Sequence, residues 1–277
     1  MTRPAAFLPV LLTASVSTRG MVGAAFADDE RERMYVETLR WYLAHLHEDV
    51  RFVFAENSGW DLARLRERVA APAGRVEWIA VDPRRCDIGR GKGYNEILLI
   101  DDACDRSAFV REAGAFFKLT GRYPVYNVAE FLAEASDCLL RRGYVYYADL
   151  KDHRLYDWLR TGWCGHAGSA AYFATTVANY RANISPHVDE LNDVEGRLVE
   201  HLLYRYMKPY RRWNSLRRGE RGGERMVMRF RTEPVMGGFQ GSQMDAISFC
   251  AANDSPRAKV QRFVGNCIRR LTPWFWF

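Results

Sequence analysis

The chain has 277 residues, enough for one large buried core or for a domain with an appendage. With 48% hydrophobic and 27% charged residues it is composed like a soluble globular protein, and no run reaches the ~18 apolar residues that span a bilayer. A net charge of +6 favours anionic partners (nucleotide phosphate, phospholipid head or nucleic acid) without choosing among them.

Six scattered cysteines with no CxxC pair read neither as a zinc site nor as a disulfide framework, and are those of a reduced, cytoplasmic protein. At the N-terminus, Arg3, AAFLPVLLTASVS and Ala25-Phe26-Ala27 imitate a signal peptide with its cleavage site. Pro9, four hydroxyl residues and Arg19 interrupt that pattern. A buried first strand over residues 8–17 is therefore expected.

Asp28, Asp29 and Glu30 then start a helix, where the dipole favours acids, and Tyr35, Leu39, Tyr42, Leu43 and Leu46 continue its stripe to about His47. Residues 51–55 are a second strand ending in Glu56-Asn57-Ser58-Gly59; residues 61–70 are a helix and 76–81 a third strand. Strands alternating with helices at this spacing predict an α/β fold with a mainly parallel sheet. In such sheets ligands sit at the carboxyl ends of the strands. That rule gathers Thr13, Ser15, Glu56 and Asn57 on one rim with the loop Gly89-Arg90-Gly91-Lys92-Gly93. Glycines let backbone approach a ligand and cations suit phosphate, but each of these residues serves equally as a cap or turn residue. The loop is not a Walker A motif, because no Ser or Thr follows Lys92.

Further along, residues 94–103 read as a helix, 115–119 as a strand, Thr120-Gly121-Arg122-Tyr123 as a turn, 128–140 as a helix and 144–150 as a strand. Residues 170–184 and 193–207 read as two more helices. Glu200 lies among Leu198, Val199, Leu202 and Leu203, so burial would raise its pKa towards the range of a working general base; His201 is the second candidate. A surface glutamate on an amphipathic helix is the competing reading. Residues 210–231 read as a mobile basic loop ending in a short strand over 226–230, followed by a glycine-rich turn over 233–243.

GKGYNE, then KLTGRY, both downstream of RFVFAENSG, resemble the bacterial sugar transferases of GT-A-like, Rossmann-like fold that build capsule or lipopolysaccharide from nucleotide sugars. The resemblance runs from about Pro9 to Gly241. It implies a glycosyltransferase domain over residues 1–250 and a basic, aromatic, helical extension over 251–277. It also implies that the first two strand ends hold base and ribose and that the Gly91-Lys92 loop lies near the diphosphate. Lys118, Arg122 and Arg154 complete the donor-binding set. GT-A enzymes commonly hold Mn2+ or Mg2+ on an Asp-x-Asp pair after a central strand. This chain has Asp149-Leu150-Lys151-Asp152, one residue longer and with a lysine inside it. Solvated turn charges, with Asp152 paired to Arg154, are the alternative there. A diphosphate bound by Asp149 or Asp152 with Arg154 and no metal is another.

The tail places Arg257, Lys259, Arg262, Arg269 and Arg270 beside Val260, Phe263, Val264, Ile268 and Leu271, and ends Pro-Trp-Phe-Trp-Phe. Cations beside interfacial aromatics suit peripheral attachment to the inner face of the cell membrane; docking of the aromatics on the core is the alternative. The partners expected are a nucleotide-sugar donor, a glycan or lipid-linked acceptor and an anionic membrane surface. A nucleic-acid binder or a non-catalytic membrane scaffold are the competing functions. No helix-turn-helix, zinc finger or RNP pattern supports nucleic acid.

Overall fold

The computed structural model describes residues 7–20, 26–152, 166–211, 217–237 and 256–271. Strands β1 (Val10–Ala14), β2 (Phe52–Glu56) and β3 (Val76–Ala80) alternate with helices α1 (Asp28–His45) and α2 (Leu62–Val69). Helices α3 (Lys92–Arg106) and α4 (Ala108–Ala113) lead into β4 (Ala115–Thr120). Every residue of β1 and β2 is buried, which is why both read as continuous apolar runs rather than alternating ones. Both faces are covered. Leu12, Phe54 and Phe117 point into one core with Tyr35, Leu39 and Tyr42 of α1. Leu11, Val53 and Phe116 point into the other with Ile97 and Ile100 of α3.

Helix α5 (Val128–Ser136) ends in a π turn over Asp137–Arg141. Then come β5 (Tyr146–Tyr147), β6 (Leu150–Asp152), β7 (His166–Gly168), β8 (Tyr172–Thr176), α6 (Val177–Asn183), α7 (Val199–Met207), β9 (Arg218–Arg221), β10 (Glu224–Val227) and α8 (Pro256–Leu271). The main sheet has the order β3-β2-β1-β4-β8-β5-β10-β9. The pairs β1–β2, β2–β3, β1–β4 and β5–β10 are parallel, whereas β8 runs antiparallel to both neighbours and β9 to β10. The expected α/β, Rossmann-like, mainly parallel sheet with flanking helices is present, and so is a helix in the C-terminal extension.

Three expected elements differ. Residues 170–184 are not one helix: Tyr172–Thr176 is strand β8, and only then does α6 begin. The strand is inserted between β4 and β5, where Phe173, Ala174 and Thr175 are buried together, so burial on both faces erased the alternation that marks a strand. The helix read over 193–207 is broken by Gly196 in the left-handed region, and α7 starts only at Val199. The span read as one strand over 144–150 is split into β5 and β6, β6 pairing with β7 in a separate two-stranded ribbon. Within the basic segment, β9 and β10 form an antiparallel hairpin around Gly222-Gly223.

Helix α8 is seated by one buried cluster. Arg269 donates to Asp149 Oδ1 at 2.9 Å and Oδ2 at 3.0 Å, and Asn266 Oδ1 accepts from the Glu233 amide at 2.9 Å. Gly265 lets the helix approach, since a Cβ there would lie 2.7 Å from Glu233 Oε1. Its opposite face leaves Val260, Phe263, Val264 and Leu271 exposed. Among the described residues, no helix is long and apolar enough to cross a membrane.

Candidate functional site

The carboxyl ends of β1, β2 and β4 open onto a cavity of about 620 Å³, closed on its far side by the N-termini of α3 and α7. Thr13, Ser15, Asn57, Gly91, Lys92, Arg122 and Glu200, all read from the sequence, border it. Arg31, Tyr35, Asn95, Glu96 and Asp193, which sequence reasoning missed, border it too.

Its strand-end wall is a continuous hydrogen-bonded layer. Ser15 Oγ donates to Asn57 Oδ1 at 2.5 Å, and the Ser15 amide donates to Tyr35 Oη at 3.1 Å. Thr13 Oγ1 donates to Glu96 Oε1 at 2.8 Å, and the same oxygen meets Lys118 Nζ at 2.7 Å. Lys118 is fully buried and also donates to Ala170 O at 2.5 Å; it does not border the cavity and instead holds Glu96 in place. Glu56 is likewise behind the wall. Its carboxylate accepts from the amides of Val16, Ser58, Gly59 and Trp60 at 2.9–3.2 Å and shapes the loop that carries Asn57.

The glycine loop has a different ligand from the one its composition announces. Asn95 staples it, donating to Asp87 O at 2.7 Å and Gly91 O at 2.6 Å. Gly91 has φ +86°, and the first amides of α3, those of Lys92 and Gly93, donate to Asp193 Oδ2 at 2.7 and 3.1 Å. A Cβ on Gly91 would sit 2.5 Å from that of Asp193. The anion-binding start of the helix is thus occupied by a carboxylate of the chain itself. Arg90 fastens the same connection, donating to Leu191 O at 3.0 Å and lying 4.0 Å above the Tyr94 ring.

Positive charge gathers at the cavity. Arg31, only 5% exposed, donates from Nε to Ser15 O at 3.1 Å and Val16 O at 3.0 Å, which fixes its guanidinium at the end of β1. Arg122 Nε is buried with no hydrogen-bond partner, and its guanidinium lies 5.9 Å from the Tyr123 ring centre. Burial, and then Arg122 and Arg31, hold the Lys92 ammonium below the usual lysine range, against the pull of Asp193 and Glu200. Burial, with Arg31 adding to it, also lowers Arg122.

Bordering the same cavity is Glu200, in the first turn of α7. Burial, followed by the nearby Glu96 and Asp193, raises its carboxyl above the ordinary carboxylate range. That is the tuning a general base needs near neutral pH. His201 does not border the cavity.

Mn2+ or Mg2+, implied by the glycosyltransferase resemblance, does not fit Asp149 and Asp152. Asp149 is 4% exposed, with both oxygens on Arg269, and Oδ1 also accepts from the Phe230 amide at 3.0 Å. Burial alone would raise its pKa, but the Arg269 guanidinium holds it below the ordinary value. Asp152 is paired with Arg211 and with His166 Nδ1 at 2.8 Å, and accepts from Tyr204 Oη at 3.1 Å. Neither borders the cavity, and no group of three metal-ligating side chains exists among the described residues. Arg154 lies outside the described residues.

No protein-family model and no curated protein sequence matches this chain. Solved structures resemble it in part. One is the bifunctional glycosyltransferase WbbM in its apo form, at TM-score 0.42 and 11% identity, covering 72% of this chain and 38% of that one. The galactosyltransferase LgtC, in complex with donor and acceptor sugar analogues, gives TM-score 0.42 and 12% identity over 71% of this chain and 69% of that one. Core-mannan synthase A from Aspergillus fumigatus, in a Mn/GDP form, gives 0.39 and 10% over 75% and 71%. This chain spans well under half of WbbM. At these TM-scores the likenesses carry no argument about activity, which rests on the site itself.

Proposed function

We propose that the chain is a nucleotide-sugar-dependent glycosyltransferase, moving a sugar to a glycan or lipid-linked acceptor in the assembly of a bacterial surface polysaccharide. The observation that carries this is one strand-end cavity bordered both by three cations, Arg31, Lys92 and Arg122, and by a half-buried carboxyl, Glu200, held above its ordinary pKa. Its size suits a nucleotide with a sugar attached. Sugar transfer needs both features at once: a group that takes the acceptor's proton, and positive charge that stabilises the leaving diphosphate.

In this arrangement the β1 and β2 ends, through Thr13, Ser15 and Asn57, hold base and ribose, and Lys92 and Arg122 meet the diphosphate. Glu200 accepts the hydroxyl proton of the acceptor while the acceptor oxygen bonds to the anomeric carbon. The bond from that carbon to the phosphate oxygen breaks, its electron pair leaving on the diphosphate. The surface-polysaccharide setting rests on the motif resemblance GKGYNE…KLTGRY. Attachment to the inner face of the membrane is supported by the exposed Val260, Phe263, Val264 and Leu271 of α8, on a helix with five cations and no acid.

The test is direct: incubate the purified chain with a panel of nucleotide sugars and measure binding, then release of free nucleoside diphosphate with and without added acceptors. Saturable binding of one donor and its turnover would support the proposal. No binding of any nucleotide or nucleotide sugar would reject it.

A further inference from the structure

A GT-A-type donor site ordinarily offsets the charge of the diphosphate with a divalent ion held on aspartates, and here those aspartates are already committed. A hard cation needs oxygen ligands with lone pairs to give and room for several of them. The two oxygens of Asp149 receive the fork of Arg269 and an amide, in a site that is 6% exposed at the side chain. The oxygens of Asp152 receive Arg211, His166 and Tyr204. Freeing either for a metal would break a buried carboxylate's ion pair, with Arg269 or with Arg211.

The cavity supplies positive charge of its own, from three different elements. Arg31 comes from α1, Lys92 from the start of α3 and Arg122 from the turn after β4, and all three border the same space. The Arg31 fork is fixed by two carbonyls of the β1 end. Arg122 is the most telling. Its Nε is buried and donates to nothing, and among the described residues no carboxylate lies within ion-pair distance of its guanidinium. A buried donor left unmade is costly, and so are like charges gathered in a half-enclosed space. Both costs are relieved when a multiply charged anion enters. Phosphate oxygens match a guanidinium fork in pairs. The first amides of α3 do not compete for that anion, since Asp193 already takes them.

We propose that this cavity binds the diphosphate of its ligand without a divalent ion, on Arg122 with Arg31 and Lys92. Naming that ligand a nucleotide sugar rests on the preceding reading; the diphosphate subsite does not. Arg122 is the residue to alter, because Arg31 also supports the β1 end.

The experiment is calorimetric titration of the full chain with inorganic pyrophosphate in EDTA, and again with MnCl2, followed by UDP, GDP, ADP, CDP and a panel of their nucleotide sugars under both conditions. The expected result is a pyrophosphate Kd in EDTA within about threefold of that with manganese. Arg122→Ala should weaken it by ~10–100-fold, the scale of a lost hydrogen bond to a charged group. Arg122→Lys should restore part of the loss, and melting temperatures of both variants show whether they are folded. Binding that appears only with manganese and is lost in Asp149→Asn would overturn the proposal. Equal pyrophosphate affinity in folded Arg122→Ala and the parent chain would also overturn it. Pyrophosphate and nucleotide binding in EDTA with no affinity for any nucleotide sugar would uphold the subsite and sink the glycosyltransferase reading. A nucleotide sugar bound only with manganese would do the reverse.

Discussion

Replacing Arg269 with alanine tests whether α8 is part of the cooperative fold or merely lies against it. The substitution leaves Asp149 charged and buried, keeping among the described residues the Phe230 amide as hydrogen-bond donor and the Arg229 charge nearby. The pair is nearly shut off from water, at 11% and 6% side-chain exposure, so screening does little to soften the loss. Removing one partner of a buried ion pair costs about 3–5 kcal/mol. An unfolding entropy of about 2.1 cal/mol/K per residue over 277 residues gives about 0.6 kcal/mol/K, so Tm should fall by ~5–9 °C. Asp149→Asn combined with Arg269→Met removes both charges and should recover most of that loss. The acid limb has a definite sign. Asp149 is depressed in the fold, so the pair stabilises above the ordinary aspartate pKa, and that contribution is lost as pH falls through the depressed value. The assay is calorimetric melting with hydrogen exchange of the α8 amides. Arg269→Ala within about 1 kcal/mol of the parent, with α8 amides exchanging no faster, would refute the reasoning.

Glu200→Gln should lower turnover ~10²–10⁴-fold and leave donor affinity near normal, and the variant should lack the rise in rate that the parent shows as pH climbs through the raised carboxyl pKa. Because that carboxyl is raised in the fold, stability declines as pH rises from the unfolded value towards it; Gln should therefore melt higher at neutral pH and show no advantage in acid. An unchanged pH profile of kcat would remove Glu200 from the reaction. Gly91→Ala places a side chain at φ +86°, ψ −164° and against Asp193; about 1–3 kcal/mol from the backbone alone should appear in chemical denaturation, and a neutral result would mean the loop is not held as described. Truncation after Leu271 should reduce co-sedimentation with anionic liposomes; retention of the parent level would discard the tail as an anchor.

The sheet was legible where its strands are largely apolar and flanked by helices, as β1, β2 and β4 are. It was hidden where an antiparallel strand is inserted and buried on both faces: Ala, Tyr, Phe and Thr in β8 leave no period to read. The cavity residues at strand ends were legible because the rule placing ligands there needs only the strand boundaries. Arg31 and Tyr35 were not, since they project from the first turns of α1 and look like any charge and any aromatic on an amphipathic helix. Only the return of α1 over the end of β1 makes them site residues. Glu96 escaped for a related reason. It needs Lys118 from a neighbouring strand, and nothing local to either residue announces that pair.

The glycine loop shows what composition alone leaves out. Glycines before a helix and a lysine at its start describe a phosphate cradle, and the physics of that cradle is present: two first-turn amides outside the helix's own bonding and a helix dipole. The negative charge in it, however, is Asp193, brought from a hundred residues downstream and needing the bare Cα of Gly91 for its approach. The consequence reaches the reaction. With its first amides taken, α3 brings positive charge to the cavity through the Lys92 side chain, and among the described residues Arg31 and Arg122 add to it. The same carboxylate helps to raise Glu200 and pulls Lys92 towards its charged form. Asp193→Asn should therefore move both groups, lowering the pH at which turnover rises, while weakening the hold of the 192–197 segment on α3. A variant that loosens the segment without shifting the pH profile would separate the two effects and leave burial alone to tune Glu200.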